Sequence, residues 1–332
     1  MKIILACMYY DYGDPSRGIS YEYNTYYAPL VSMGHDVVHF DFMSEMQKHG
    51  KSAMNQRLLD MAKNERPDVV VFALYKDEFK VSTLESLRQY TKTFCFFQDD
   101  TWRVDYTLAW GPHFDLFGTP DPFGVERYKA RGIENAMHVP FGANEFVFKR
   151  QECEKEYDVS FVGVKHPYRD WIVKRLESEG IKVATFGRKW GSGRVTVEQM
   201  VDIFNKSKIN LNLSNSISYD IRYLFSSLRA LHDFAKNRKR IEQQKARPFE
   251  VCGAGGFLLT YYVSGLEDYY CIGKEVAIYS SPDELVEQVK YYLEHEEKRE
   301  KVALSGYEKT LNEHTFTKRF EAIFSELEKE SW

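Results

Sequence analysis

At 332 residues the chain is too long for one comfortable core, so two domains are the default expectation. Its 45 Lys and Arg against 49 Asp and Glu leave a net charge of −4, which argues against a general nucleic-acid or anionic-membrane binder and leaves room for a local basic pocket. Aromatics reach 15%, with 23 Tyr and 23 Phe, a composition that suits sugars and other amphipathic ligands as well as plain cores.

The amino terminus, Met1-Lys2-Ile3-Ile4-Leu5-Ala6-Cys7, reads as a strand running into polar residues, without the apolar core and cleavage site of a leader. Strands are predicted over 2–7, 36–41, 68–74, 93–97, 114–118 and 136–139, and runs such as Val69-Val70-Val71-Phe72-Ala73-Leu74 are apolar enough to be covered on both faces. Helical patterns fall between them at 21–33, 44–63, 81–91 and 123–131. This alternation predicts a parallel, doubly wound, Rossmann-like sheet. The loop after the first strand, Asp11-Tyr12-Gly13-Asp14-Pro15-Ser16-Arg17-Gly18, lacks the G-x-G-x-x-G fingerprint, so no nicotinamide cofactor is expected.

A charged, strandless stretch, Phe148 to Glu156, reads as a linker. A second alternating series follows, with strands at 158–163, 181–186, 208–213, 257–260 and 276–279. Helices are expected at 168–179, 196–206, 217–243, 282–295, 297–312 and 315–330, with a short glycine-ended helix just ahead of 257–260. The domains expected are 1–150 and 151–313, two α/β units with parallel sheets and a cleft between them. No apolar stretch approaches the roughly 20 residues of a membrane span, so a soluble, cytoplasmic chain is expected, with peripheral membrane contact the most that is compatible. The odd cysteine count (Cys7, Cys95, Cys153, Cys252, Cys271), without metal-ligand spacing, fits a reducing compartment.

Open α/β sheets bind ligands beyond the carboxyl ends of their strands, which directs attention to a few segments. Gly163 ends a strand and is followed by Lys165, His166 and Arg169 where a helix starts, a setting that holds phosphate or is simply solvated. Arg247 and Glu250 stand ahead of Cys252-Gly253-Ala254-Gly255-Gly256; they form a surface ion pair, or they bind diphosphate and ribose while the glycines let backbone come close. Asp99 and Asp100 follow the fourth strand, where one acid serves as a helix cap and the other faces the cleft as a base or a partner for sugar hydroxyls. They do not form an Asp-x-Asp metal clasp, and no metal site is expected. Of the scattered histidines, His113 and His166 are the candidate cleft bases.

These segments match a known pattern in combination: Tyr157-Asp158-Val159-Ser160-Phe161-Val162-Gly163 with Arg169, Phe186-Gly187-Arg188-Lys189-Trp190, Ser207 to Leu213, Arg247-Pro248-Phe249-Glu250 with the glycine run, Gly273-Lys274-Glu275, and His314-Thr315-Phe316 with Arg319. The chain resembles the GT-B glycosyltransferases, and within them the CgeB-like (spore maturation) group with a glycosyl transferases group 1 C-terminal domain. The likeness is strong over the second domain and weaker over the first, through Asp115 to Thr119 and Val139 to Asn144.

The resemblance implies that the second domain binds a nucleotide-diphosphate sugar, UDP-sugar foremost, and that the first takes a glycan or other hydroxyl acceptor. It also implies that the last helix, 314–332, returns to the first domain. Glu250 matches the acid that contacts the donor ribose. Arg247, Arg169, Lys165, Gly163, Gly187 and the run Gly253, Ala254, Gly255, Gly256 match the donor cradle. Glu242 stands where many retaining members carry a second acid, in the pattern Glu-x7-Glu, although here it closes a highly charged run. Asp14, Arg17, Gly18 and His113 are the acceptor-side candidates, with Asp99 or Asp100 as base if the enzyme inverts. Arginines and helix amino ends would stabilise the leaving diphosphate, so neither metal nor cofactor is expected beyond the donor itself. Two rivals share the fold or the composition: a sugar-nucleotide epimerase, and a non-catalytic nucleotide-sugar or glycan binder.

Overall fold

The computed structural model describes residues 1–214, 218–236 and 242–329. The chain divides into two compact units, Met1–Asn144 with the last helix, and Glu145–Thr315.

In the first unit, strands β1 (Lys2–Ala6), β2 (Asp36–Phe40), β3 (Val69–Phe72), β4 (Lys92–Phe96), β5 (Leu116–Thr119) and β6 (Ala136–His138) form one parallel sheet in the order β2-β1-β3-β4-β5-β6. Every residue of β3 is buried, as a strand with helices on both faces requires. The connecting helices are α1 (Tyr21–Ser32), α2 (Phe42–Glu65), α3 (Val81–Leu87), α4 (Val104–Trp110) and α5 (Gly124–Lys129). Ser20 caps α1 by accepting from the Tyr23 amide. The chain order reverses about β1, which places the ligand-binding crevice of this sheet at the carboxyl ends of β1 and β3.

The second unit repeats the logic with β7 (Tyr157–Val162), β8 (Val183–Phe186), β9 (Ser207–Asn212), β10 (Leu258–Tyr261) and β11 (Ala277–Tyr279), parallel in the order β11-β10-β9-β7-β8. Its helices are α6 (Pro167–Ser178), α7 (Val197–Lys206), α8 (Ile221–Leu224), α9 (Leu228–Lys236), α10 (Arg247–Gly253), α11 (Pro282–Glu294) and α12 (Glu296–Glu313). Here the reversal lies between β7 and β9.

The single helix expected over 217–243 is not continuous. It breaks between α8 and α9, and 217 and 237–241 lie outside the described residues. Serines set the break: Ser226 Oγ turns back to the Tyr223 carbonyl, and Ser227 Oγ accepts from the Ala230 amide to start α9. The last helix, α13 (Phe316–Lys329), belongs to the first unit. It buries Phe316, Phe320, Ile323, Phe324 and Leu327, sets Phe316 and Phe320 5.3 and 5.6 Å from the Tyr26 ring, and ties Arg319 to the Pro140 and Phe141 carbonyls. Among the described residues no helix is long and apolar enough to cross a membrane.

Candidate active site

The second unit gathers its charged side chains at the β7/β9 reversal. Arg169 rises from the first turn of α6 and spans it: Nε and Nη2 donate to the Leu213 carbonyl beyond β9 at 3.0 and 2.8 Å, and Nη1 donates to the Val164 carbonyl beyond β7 at 3.0 Å. Both partners are neutral carbonyls, so these hydrogen bonds position the guanidinium without neutralising it. Its underside covers the Phe161 ring at 5.2 Å. Burial, and then the charge of Arg247, hold its pKa down to about 10, against the opposing influence of Tyr279 and Glu242.

Arg247 opens α10, followed at once by Pro248, which suits a helix's first turn because its missing N–H has no partner there anyway. One turn on, Glu250 lies 5% exposed and accepts from Arg247 Nη1 at 2.8 Å. Burial raises the Glu250 carboxyl above the ordinary range, and Arg247 opposes that rise. The Arg247 guanidinium also covers the Phe204 ring at 5.2 Å. Glu242 comes close enough to act electrostatically on both Arg169 and Tyr261. Arg169, Arg247, Glu242 and Glu250, drawn from three segments, therefore make one cluster. Tyr279, which sequence reasoning passed over, joins it from the end of β11; its place at a strand's carboxyl end was the available signal.

Gly163 and Gly187 interlock at the same edge. A Cβ on Gly187, whose φ is +121°, would stand 2.4 Å from the Gly163 carbonyl oxygen, and Trp190 Nε1 donates to that oxygen at 2.9 Å. Lys165 departs from the donor cradle expected of it: its ammonium pairs with Asp170 at 2.9 Å and lies over the Trp190 ring.

The glycine run also requires correction. Gly253 ends α10 and the run leads into the amino end of β10, opposite the edge where Arg247 and Glu250 stand. The room left by Gly255 is taken by the Arg150 side chain, and that of Gly256 by Asn210 Nδ2 and the Phe204 carbonyl. Gly255 and Gly256 thus make room for the chain's own side chains and backbone, which is the other common use of close backbone approach, and Gly253 and Ala254 end the helix between them and Arg247.

In the first unit a cavity of about 240 Å³ opens at the carboxyl ends of β1, β3 and β4. Asp11, Glu22 and Asp99 bring acids to its wall, and Tyr12, Tyr75 and Tyr106 bring aromatic faces. Glu22, absent from the sequence-based candidates, occupies the first turn of α1; burial and then Asp11 raise its carboxyl, while Ser20 and Gln98 hydrogen bonds oppose the rise. Arg17 pairs with Asp11 at 3.5 Å and covers the Tyr12 ring at 4.3 Å, so this member of the loop reaches the cavity's rim.

One base candidate, Asp100, and three acceptor-side candidates, Asp14, Gly18 and His113, take structural places. Asp100 is fully buried and accepts from the Thr119 and Tyr128 hydroxyls, so of the acid pair it is the structural member and Asp99 the one on the cavity's accessible wall. Asp14 caps a turn by accepting from the Ser16 amide and hydroxyl, and Gly18, at φ +80°, closes that loop. His113 precedes β5 at the sheet's amino edge, 3.4 Å from Glu85, remote in topology from the ligand-binding edge.

Residues 169–325 match the family described as glycosyl transferase-like. The spore protein CgeB of Bacillus subtilis (strain 168) is 23% identical over 238 residues, covering 66% of this chain and 69% of that protein. Among solved structures, a glycosyltransferase from Rickettsia africae ESF-5 superposes with a TM-score of 0.66 at 8% identity, covering 99% of each chain. Sucrose-phosphate synthase from Thermosynechococcus elongatus gives 0.61 at 10% identity over 99% of this chain and 100% of that one. Anabaena HepE, in complex with UDP and glucose, gives 0.59 at 11% over the same shares. Two parallel-sheet units and these superpositions give the chain the GT-B fold, residues 169–325 form its glycosyl transferase-like segment, and the chain is similar to the spore protein CgeB.

Proposed function

We propose that the enzyme transfers a sugar from a nucleotide-diphosphate donor to a hydroxyl of a glycan or similar acceptor, and that the second unit holds the donor. The observation that carries this reading is Arg169, a part-buried cation anchored only to carbonyls, with its pKa lowered to about 10 by burial and by Arg247. A diphosphate beside two such arginines relieves their mutual repulsion and gains charge-assisted hydrogen bonds. Glu250 accepts from the donor ribose hydroxyls, and Glu242 faces the transferred sugar. Positive charge on the arginines stabilises the leaving diphosphate as it develops, so turnover is expected to persist with a chelator present. UDP is the favoured nucleotide, supported by the UDP in the HepE complex.

In the first unit, Asp11, Glu22 and Asp99 accept hydrogen bonds from acceptor hydroxyls, and the tyrosine faces cover the sugar's apolar side. A screen of nucleotide sugars, following nucleoside diphosphate release with and without candidate glycans, tests the reading. Acceptor-stimulated release that is lost in both Arg247→Ala and Glu250→Ala is the expected result. Failure of every donor to release diphosphate, or turnover unchanged in both variants, sinks it.

A further inference from the structure

The helical insert of the second unit carries an apolar edge that neither the core nor the donor cluster uses. Tyr219, Ile221, Phe225 and Leu228 are 67%, 68%, 80% and 89% exposed, four large apolar side chains within ten residues. Single exposed apolar residues are ordinary, but four so close together in the chain mark a contact surface. The base of the insert is firmly seated. Tyr223 is buried against Tyr168 and Trp171 of α6, with ring centroids at 5.1 and 5.7 Å, and Arg222 pairs with Asp220 and with Asp283 at 2.9 Å. An anchored base that holds its apolar side chains outward is a presented surface.

A cavity of about 430 Å³ adjoins this edge. Lys165, Lys174, Lys189 and Arg229 line it with a single acid, Asp170, already engaged at 2.9 and 3.0 Å by Lys165 and Lys174. Ser226 and Ser227, which separate Phe225 from Leu228 in the chain, form part of the same wall, so the cations and the apolar edge share one rim. Lys189 is held at φ +71°, a left-handed conformation that costs a non-glycine residue about 1–3 kcal/mol and tends to persist where a site over-determines it. The amino end of α6 at Pro167 adds the positive end of a 12-residue helix dipole.

We propose that this rim docks on an anionic lipid surface, with Phe225 and Leu228 entering the acyl boundary while Lys174, Lys189 and Arg229 meet lipid phosphates. Both halves of the chemistry are needed: a soluble phosphate compound has no use for exposed Phe and Leu, and an apolar protein partner has none for the cations. The proposal is independent of the donor and acceptor assignments, since it concerns where the enzyme works.

Co-sedimentation of the full chain with vesicles tests it, comparing phosphatidylcholine alone with phosphatidylcholine containing phosphatidylglycerol. Binding is expected only to the anionic vesicles and should weaken with added salt. Phe225→Ser with Leu228→Ser should lower partitioning at least about 10-fold, as loss of two buried apolar side chains demands. Lys174→Glu with Arg229→Glu should do so by a similar factor. Thermal melting and donor turnover in solution, unchanged in the Phe225/Leu228 variant, separate lost docking from lost folding. Equal binding to neutral vesicles, binding indifferent to both double variants, saturable uptake of inorganic phosphate without vesicle binding, or a Phe225-dependent dimer that ignores vesicles would each overturn the proposal.

Discussion

Arg169→Ala probes the donor cluster most directly. Lowering an arginine to about 10 corresponds to on the order of 3 kcal/mol of charge held against its surroundings. A bound diphosphate recovers that energy, and a charge-assisted contact adds about 1.5–3 kcal/mol more. Part of this gain is offset by desolvating the phosphate, so a net loss of about 3 kcal/mol on removing the guanidinium is the reasonable expectation. The dissociation constant for nucleoside diphosphate should then rise about 100-fold, and kcat/KM should fall about 100- to 1000-fold if the arginine also meets charge developing on the leaving group. Some loss of stability accompanies the change, because Leu213 is fully buried and its freed carbonyl costs about 1–3 kcal/mol, whereas Val164 is exposed and its carbonyl can turn to water. Arg169→Lys should recover only part of the affinity, since an ammonium cannot reproduce a planar fork that spans two loops. Calorimetry with UDP, alongside thermal melting, makes the measurement. A folded Arg169→Ala protein that binds UDP within about threefold of the parent refutes the placement of the diphosphate.

Glu22→Gln should raise the KM for acceptor while leaving nucleotide affinity intact. Because burial raises the Glu22 carboxyl, acceptor KM in the parent should climb as pH falls through that raised value, and steady-state profiles of the Gln variant should lack the limb. Asp100→Ala strands the Thr119 and Tyr128 hydroxyls in a fully buried position, so urea unfolding should show a loss of about 2–4 kcal/mol with UDP affinity of the folded protein preserved. Gly256→Ala brings a Cβ to 2.7 Å from Asn210 Nδ2 and 3.1 Å from the Phe204 carbonyl. It should cost about 1–3 kcal/mol of stability without altering the UDP dissociation constant of the folded protein, whereas a diphosphate-contacting glycine would lose affinity.

All eleven strands among the described residues were legible, most plainly β3 and β10, because a strand covered on both faces is written as an apolar run. Helix α4 was not, since Val104-Asp105-Tyr106-Thr107-Leu108-Ala109-Trp110 is only seven residues long and buries just Thr107, leaving no 3.6-residue stripe to read. The insert misled for the opposite reason: apolar residues at Ile221, Leu224, Leu228 and Leu231 keep a helical spacing across a break that two serines impose. Arg169, Arg247 and Glu250 could be singled out because they flank strand ends in a parallel sheet, where topology brings distant segments together. Glu22 escaped because its importance lies in neighbours 11 residues before it and 76 after it, Asp11 and Gln98, which no local pattern links. The glycine run shows a limit of composition: small residues announce close approach but not what approaches.

The Arg247–Glu250 pair explains how such a cluster survives folding before any donor arrives. A carboxyl only 5% exposed would ordinarily shed its charge, and Arg247 at 2.8 Å is what opposes that rise in pKa. The cluster therefore buries a paired acid and leaves Arg169 tethered to carbonyls. On the proposed reading the donor exchanges partners within this set. Its diphosphate draws Arg247 outward, and its ribose hydroxyls take over the donation to Glu250 that the guanidinium gives up. Neither charge is left buried and alone at any stage, which is the condition under which a desolvated ion pair can be opened cheaply. A nucleotide without ribose hydroxyls, such as a 2′,3′-dideoxy diphosphate, cannot complete the exchange. It should bind about 10- to 100-fold more weakly to the parent, and that penalty should shrink in Glu250→Ala, where no carboxylate is left to satisfy.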